Sequence, residues 1–191
     1  MKRLIFLGGS FDPVHLGHLA LAEWVQQEEH PDHFLFVPSF RNPLKDNPAG
    51  ATPRQRLAML EIAVRGTRFT IFPGDLETAN TRTLKTVEHL RRRYGSVELQ
   101  MVIGEDLLDQ LPSWYAWEEL CREISFLILP RWGAGTGEPP PQHRRLNAPR
   151  LEISSSLVRR RLAAGYTMEH WLPPGVWAYI RKHELYGWHE K

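Results

Sequence analysis

The sequence predicts an α/β fold: a doubly wound, mostly parallel sheet with a small C-terminal helical segment. Three observations predict it. Short apolar runs closed by glycine or proline recur along the chain, as fully buried strands do. Between them lie stretches whose apolar residues are spaced three and four apart, as one helix face requires. Strand and helix alternate, which favours right-handed βαβ units and hence parallel pairing. The 191 residues are enough for one domain with a proper core.

Leu4 to Leu7 is an unbroken apolar run closed by Gly8-Gly9 and reads as a buried strand. Leu16 to Glu28 reads as a helix, with Leu16, Leu19, Ala20 and Trp24 on about one face. His33 to Val37 is a second strand stopped by Pro38, and Ser39 to Ala51, rich in Asn, Pro and Gly, is a loop. Thr52-Pro53-Arg54-Gln55 starts the next helix. Thr52 is the N-cap, Pro53 takes the first helical position, Gln55 completes a capping box, and Leu57, Leu60 and Val64 form the stripe. Phe69 to Phe72 is a third strand, Leu84, Val87, Leu90 and Tyr94 mark a helix, and Val97 to Ile103 is a fourth strand ending in Gly104. Ile124 to Leu129 is the fifth strand. Gly133 to Pro141 reads as a flexible surface excursion. A short β segment near Leu151, a helix from about Ser155 to Ala164 ended by Gly165, and a last helix from Pro174-Gly175 complete the chain. The expectation is a single domain over 1–191: sheet and helices over 1–132, a loop over 133–149, and the C-terminal helices over 150–191.

Composition narrows the partners. Apolar residues are 42% and charged residues 24%, ordinary for a globular chain. The net charge of +2 suits an anionic small molecule and does not demand nucleic acid. Arg91-Arg92-Arg93, Arg144-Arg145 and Arg159-Arg160-Arg161 are short, dispersed and offset by 22 acidic residues, so they read as solvated faces. The single cysteine, Cys121, excludes an intrachain disulfide and fits the cytoplasm. No apolar run has the length of a membrane span or a signal peptide.

Two short segments carry chemistry. Gly8-Gly9-Ser10-Phe11-Asp12-Pro13-Val14-His15-Leu16-Gly17-His18 lies between the first strand and first helix, at the carboxyl edge where such sheets bind ligands. The paired glycines let backbone N–H groups approach a phosphate, the helix start adds unpaired donors and partial positive charge, and Gly17 leaves room for close approach. His15 and His18, three apart, face the same way and can donate to phosphate oxygens. A zinc site finds no further ligands at matching spacing. The second segment, Ile153-Ser154-Ser155-Ser156-Leu157-Val158-Arg159, is a run of N-capping residues with Arg159 one turn into the helix, a second anion site.

The first segment closely resembles the GG(S/T)FDPxHxGH form of the HxGH signature found in nicotinate-nucleotide adenylyltransferases, and the second resembles the companion ISxxxxR motif. The resemblance implies a Rossmann-like nucleotidyltransferase fold and transfer of an adenylyl group from ATP to nicotinate mononucleotide. It implies that Gly8, Gly9, Ser10, Phe11, His15 and His18 bind ATP, with His18 steadying the α-phosphate and His15 orienting the phosphates. Ser154 and Arg159 would hold the departing pyrophosphate. Gly104-Glu105-Asp106 resembles the family's GxD element, which places Gly104 and Asp106 at the nucleotide. Leu111-Pro112-Ser113-Trp114-Tyr115 resembles its P-x-W-Y segment, which gives Trp114 and Tyr115 to the pyridine. Asn42-Pro43-Leu44-Lys45 aligns with P-P-H-K, making Lys45 a phosphate clamp with Leu44 in place of His. Thr81 to Val87 aligns with S-Y-T-x-x-T-L, making Thr83 the reader of the pyridine carboxylate while Arg82 replaces Tyr and Lys85 replaces Asp. Leu127 to Gly133 resembles the segment near adenine. Mg²⁺ would ride on ATP, because the motifs present no carboxylate cage. Other acceptors on the same fold, such as nicotinamide mononucleotide or pantetheine phosphate, and a non-catalytic nucleotide-binding module remain alternatives.

Overall fold

The computed structural model describes residues 1–40, 50–131, 133 and 135–189. Its centre is a six-stranded sheet: β1 (Lys2–Gly9), β2 (His33–Pro38), β3 (Thr70–Ile71), β4 (Val97–Gly104), β5 (Ser125–Leu129) and β6 (His143–Arg145). The order is β3-β2-β1-β4-β5-β6 and every pair is parallel. The chain winds outward from β1 in one direction and from β4 in the other. The carboxyl ends of these neighbours, Gly9 and Gly104, therefore flank the crevice where such sheets bind ligands.

Side chains alternate along a strand, so both faces of this buried sheet need cover. Ile5 packs on one side with Phe34 and Phe36, under α1 (Leu16–Glu29), α2 (Pro53–Val64), α6 (Ser155–Ala163) and α7 (Pro174–Lys182), which supply Val25, Met59, Val158 and Ile180. Leu4 and Phe6 pack on the other with Leu35, under α4 (Thr83–Tyr94) and α5 (Trp117–Glu123), which supply Leu90 and Leu120. A single turn, α3 (Gly74–Glu77), precedes α4. The capping box of α2 is present: Thr52 Oγ1 accepts from the Gln55 N–H at 3.3 Å and Gln55 Oε1 from the Thr52 N–H at 2.9 Å. The polar network of Arg3 ties α1 to the sheet, donating to Glu29 Oε2 at 2.8 Å and to Gln100 Oε1 at 2.9 Å.

The structure corrects three sequence expectations. The buried face of α1 is Gly17, Leu21, Ala22 and Val25, whereas Leu16 is 41% exposed and Ala20 is exposed. Gly17 faces inward because the Ile153 side chain leaves no room for a Cβ there, which turns the adjacent Leu16 outward. On α2 the inward stripe is Arg56, Met59, Leu60 and Ala63, with Leu57 and Val64 only partly buried, because Arg56 is drawn in by backbone carbonyls. No strand forms near Leu151. Leu151 and Ile153 pack as apolar side chains without a ladder partner, and the sheet edge is taken by β6, within the stretch expected to be loop. β6 is His143-Arg144-Arg145, exposed and polar with two arginines, which is how edge strands resist further pairing, and it lacks the apolar pattern by which strands are recognised.

An aromatic cluster carries this core up to the crevice. The fully buried Phe36 ring sits edge-to-face with Phe11 at 5.5 Å and with Phe69 at 5.7 Å. Phe36→Ala is expected to cost about 3–5 kcal/mol in urea unfolding, and a loss below about 1 kcal/mol would contradict this role.

Candidate active site

The crevice is a cleft of about 930 Å³. It has the size of a cofactor or nucleotide pocket, which run roughly 300–1,000 Å³. Gly8, Gly9, Ser10, Phe11, His15, His18, Thr83, Gly104, Asp106, Trp114, Tyr115, Ser154 and Arg159 all line it. Lys45, the remaining candidate, and its neighbours Asn42, Pro43 and Leu44 lie outside the described residues.

The two segments singled out from sequence meet directly. Ser155 Oγ donates to the Pro13 carbonyl at 2.9 Å, and Arg159 Nη1 donates to the Asp12 carbonyl at 2.6 Å while lying 3.8 Å from Asp12 Oδ2. Ser154 is the N-cap of α6, accepting from the Leu157 N–H at 3.1 Å, so its lone pair is engaged and its hydroxyl proton is what it can offer a ligand. Gly17 explains how the segments come so close. A Cβ there would fall 2.3 Å from Ile153 Cγ2 and 3.0 Å from His15 Nδ1. Sequence reasoning had given Gly17 to close approach of a ligand; the group that approaches is the second segment.

His15 and His18 stack with centroids 3.7 Å apart at 25°. The His15 N–H donates to His18 Nδ1 at 3.2 Å, which leaves the proton of a neutral His18 on Nε2. The Phe11 ring meets His18 edge-on at 5.1 Å. His15 is 3% exposed, and its Nδ1 has no partner among the described residues. Burial, aided by the positive charge of Arg131, holds its imidazole down at a pKa of about 3. At neutral pH His15 is therefore an uncharged hydrogen-bonding group.

Sequence reasoning missed three residues. Asp12, 6% exposed, accepts at Oδ1 from the Ala51 N–H at 2.9 Å and from Tyr186 Oη at 2.8 Å. Burial and the Asp12 charge push the Tyr186 phenol well up, so it stays a donor. Arg56, 5% exposed, donates to the Ser10 carbonyl at 2.6 Å and the Phe40 carbonyl at 2.7 Å. Arg131 lines the cleft, its Nε 3.6 Å from Asp106 Oδ1. An acid inside an otherwise anion-binding loop was the legible signal for Asp12; Arg56 and Arg131 carried none beyond being arginines near motif segments.

Four arginines of the basic runs have partners within the fold. Arg91 donates to Glu123 at 2.9 Å, Arg144 lies 3.0 Å from Glu29, Arg145 pairs with Glu105, and Arg161 stacks on Tyr166. Among the described residues no helix is long and apolar enough to cross a membrane, and no group of three or more His, Cys, Asp or Glu is placed to hold a metal.

A crevice at the strand-order reversal, with two anion-ready helix starts closing on each other, defines a nucleotidyltransferase of the cytidylyltransferase-like family, whose pattern matches residues 6–161. A Synechococcus sp. protein named "Probable nicotinate-nucleotide adenylyltransferase" is 34% identical over 198 residues, covering 97% of this chain and 95% of its own. One of that name from Staphylococcus epidermidis is 30% identical over 188 residues, covering 97% and 98%. The fold is shared with Plasmodium falciparum nicotinic acid mononucleotide adenylyltransferase complexed with NaAD, at TM-score 0.82 and 23% identity over 99% of both chains. The chain belongs to the nicotinate-nucleotide adenylyltransferase family.

Two predictions follow from this geometry. Gly17→Ala must displace Ile153, and overpacking of this kind is expected to cost about 1–3 kcal/mol. Urea unfolding checks it, and a variant as stable as the parent would contradict the close approach. His15 has its pKa lowered from 6.5 in the unfolded chain to about 3 when folded. Only the unfolded chain then takes up this proton as pH falls below 6.5, so stability is lost on acidification, by about 2 kcal/mol from this group at pH 5. His15→Gln should lose less stability between pH 7 and pH 5 than the parent; an equal loss would contradict it.

Proposed function

We propose that this chain transfers the adenylyl group of ATP to nicotinate mononucleotide, releasing pyrophosphate and forming nicotinate adenine dinucleotide, a step of NAD biosynthesis. The observation that carries the reading is the closure of both anion-ready turns on one cleft, through Arg159 to the Asp12 carbonyl and Ser155 to the Pro13 carbonyl.

The acceptor brings its own nucleophile. Its phosphate, with a second pKa near 6, is largely dianionic at neutral pH. One of its oxygens attacks the α-phosphorus in line, the bond from that phosphorus to the bridging oxygen breaks, and pyrophosphate leaves with the electron pair. No covalent enzyme intermediate is needed, so the protein's work is positioning and charge stabilisation. In this reading the backbone of Gly9 and Ser10 approaches the nucleotide, Phe11 braces the turn, and His18 donates from Nε2 to the α-phosphate. Neutral His15 orients the phosphates without adding charge. Ser154 and Arg159 receive the pyrophosphate, Gly104 and Asp106 border the nucleotide, and Trp114, Tyr115, Thr83 and Lys45 serve the acceptor. Among the described residues the cleft carboxylates Asp12 and Asp106 each lie beside an arginine. Mg²⁺ would be carried in with the ATP, where it would neutralise triphosphate charge. We assign the enzyme to the cytoplasm, where reduced Cys121 and ATP are at home.

Incubation with MgATP and nicotinate mononucleotide, read by mass spectrometry, should yield the dinucleotide; none formed would refute the proposal. His18→Ala is expected to lower kcat by roughly 10²–10³-fold, the scale for one lost transition-state donor. Activity within tenfold of the parent would remove His18 from that role. Trp114→Ala should raise KM for the pyridine nucleotide more than for ATP, and equal rises would overturn its stacking role.

A further inference from the structure

In the proposed reaction Arg159 receives the pyrophosphate, and Arg159 is itself held in place. Its Nη1 donates to the Asp12 carbonyl at 2.6 Å and lies 3.8 Å from Asp12 Oδ2, and its Nη2 donates to Ser156 Oγ at 3.3 Å. Where the guanidinium points therefore depends on where Asp12 sits. Asp12 is in turn reached from the far end of the chain: its Oδ1 accepts from Tyr186 Oη at 2.8 Å, 174 residues away in sequence.

The chain end is shaped to deliver that hydroxyl. Tyr186 sits in a short turn, Leu185–Gly187, that follows α7. Its φ is +62°, and that of Glu184 two residues earlier is +47°. Left-handed backbone is disfavoured for residues with a Cβ, because the Cβ crowds the following carbonyl oxygen. Two such residues so close together persist only where surrounding contacts hold them. Those contacts come from α6. A Cβ on Gly187 would lie 4.0 Å from Ala163 Cα, and the Tyr186 ring belongs to the buried cluster that includes Val158 and Leu162. The ring is thus anchored against the helix that carries Arg159, while the hydroxyl reaches the turn that carries Asp12. A phenylalanine would fill the same space without burying a hydroxyl, which costs free energy unless it is hydrogen-bonded. Tyr186 lies behind the cleft wall rather than in it, so it acts on a ligand only through other residues.

We infer that Tyr186 is a positioning residue for the leaving-group end of the site: its hydroxyl fixes Asp12, and Asp12 fixes the Arg159 guanidinium that grips pyrophosphate. The inference rests on the proposed adenylyl transfer. Its test is a calorimetric titration with pyrophosphate, together with KM for ATP and for nicotinate mononucleotide. The proteins compared are the parent, Tyr186→Phe, Arg159→Ala and the double variant. Phenylalanine keeps the packed ring and Asp12 Oδ1 keeps the Ala51 N–H, so the fold survives the change. Tyr186→Phe should weaken pyrophosphate binding about tenfold, the scale of one coupled contact, and raise KM for ATP by a similar factor. KM for nicotinate mononucleotide should stay within about twofold of the parent, since a contact at the other end of the cleft is additive with it. In the Arg159→Ala background the same change should add no further loss. A tyrosine with a merely structural role would weaken pyrophosphate equally in both backgrounds, and that result overturns the inference. So does an unchanged pyrophosphate affinity, an equal loss for ATP and the acceptor, or a Tyr186→Phe protein that fails to fold. A parent protein that makes no dinucleotide would instead bring down the transfer reaction, while the pyrophosphate titration, read without turnover, still decides the role of Tyr186.

Discussion

The site depends on a buried carboxylate. Asp12 lies at the turn between β1 and α1, and its groups reach three distant segments of the chain. The side chain accepts from Ala51 at the head of α2 and from Tyr186 near the C-terminus, and the backbone carbonyl accepts from Arg159 of α6. A buried charge without partners would cost several kcal/mol, so this arrangement is stable only when the partners are all in place. Fully satisfied, such a network rigidifies the segments it joins. The consequence is geometric. Segments separated by more than a hundred residues hold a single relative position, and two weak anion-binding turns become opposite jaws of one site.

Charge within the cleft is arranged with the same economy. The described walls carry four arginines and two aspartates, an excess that favours phosphate-rich ligands. His15 adds nothing to that excess, because burial and Arg131 keep its ring neutral. Its partner in the stack, His18, takes a hydrogen bond at Nδ1 from the His15 backbone and can give one only through Nε2. In the proposed reaction the pair would serve as a directed donor beside a neutral spacer, preorganised for charge that develops at phosphorus.

Much of this was legible before any coordinates. The alternation of apolar runs and helical stripes yields a parallel sheet, and the four longest strands and the capping box at Thr52 lie within a residue or two of where the sequence places them. The first motif segment stands at the end of β1 and the second at the start of α6, both lining the cleft, and glycine pairs and N-capping serines are local signals that a sequence shows. What was not legible is long-range. The face of α1 turns on a contact between Gly17 and Ile153, and Arg56 is pulled into the buried stripe of α2 by carbonyls from two distant turns. The edge strand β6 is polar and short, so it leaves no periodic trace. Tyr186 reads as an ordinary aromatic near a chain end until its hydroxyl is seen to meet Asp12.

The most direct measurement is a crystal structure with a non-hydrolysable ATP analogue and Mg²⁺. The account predicts that the triphosphate spans the cleft, touching the Gly9–Ser10 backbone and His18 on one side and Ser154 and Arg159 on the other. A triphosphate bound by only one of these turns, or outside the cleft between β1 and β4, would contradict it.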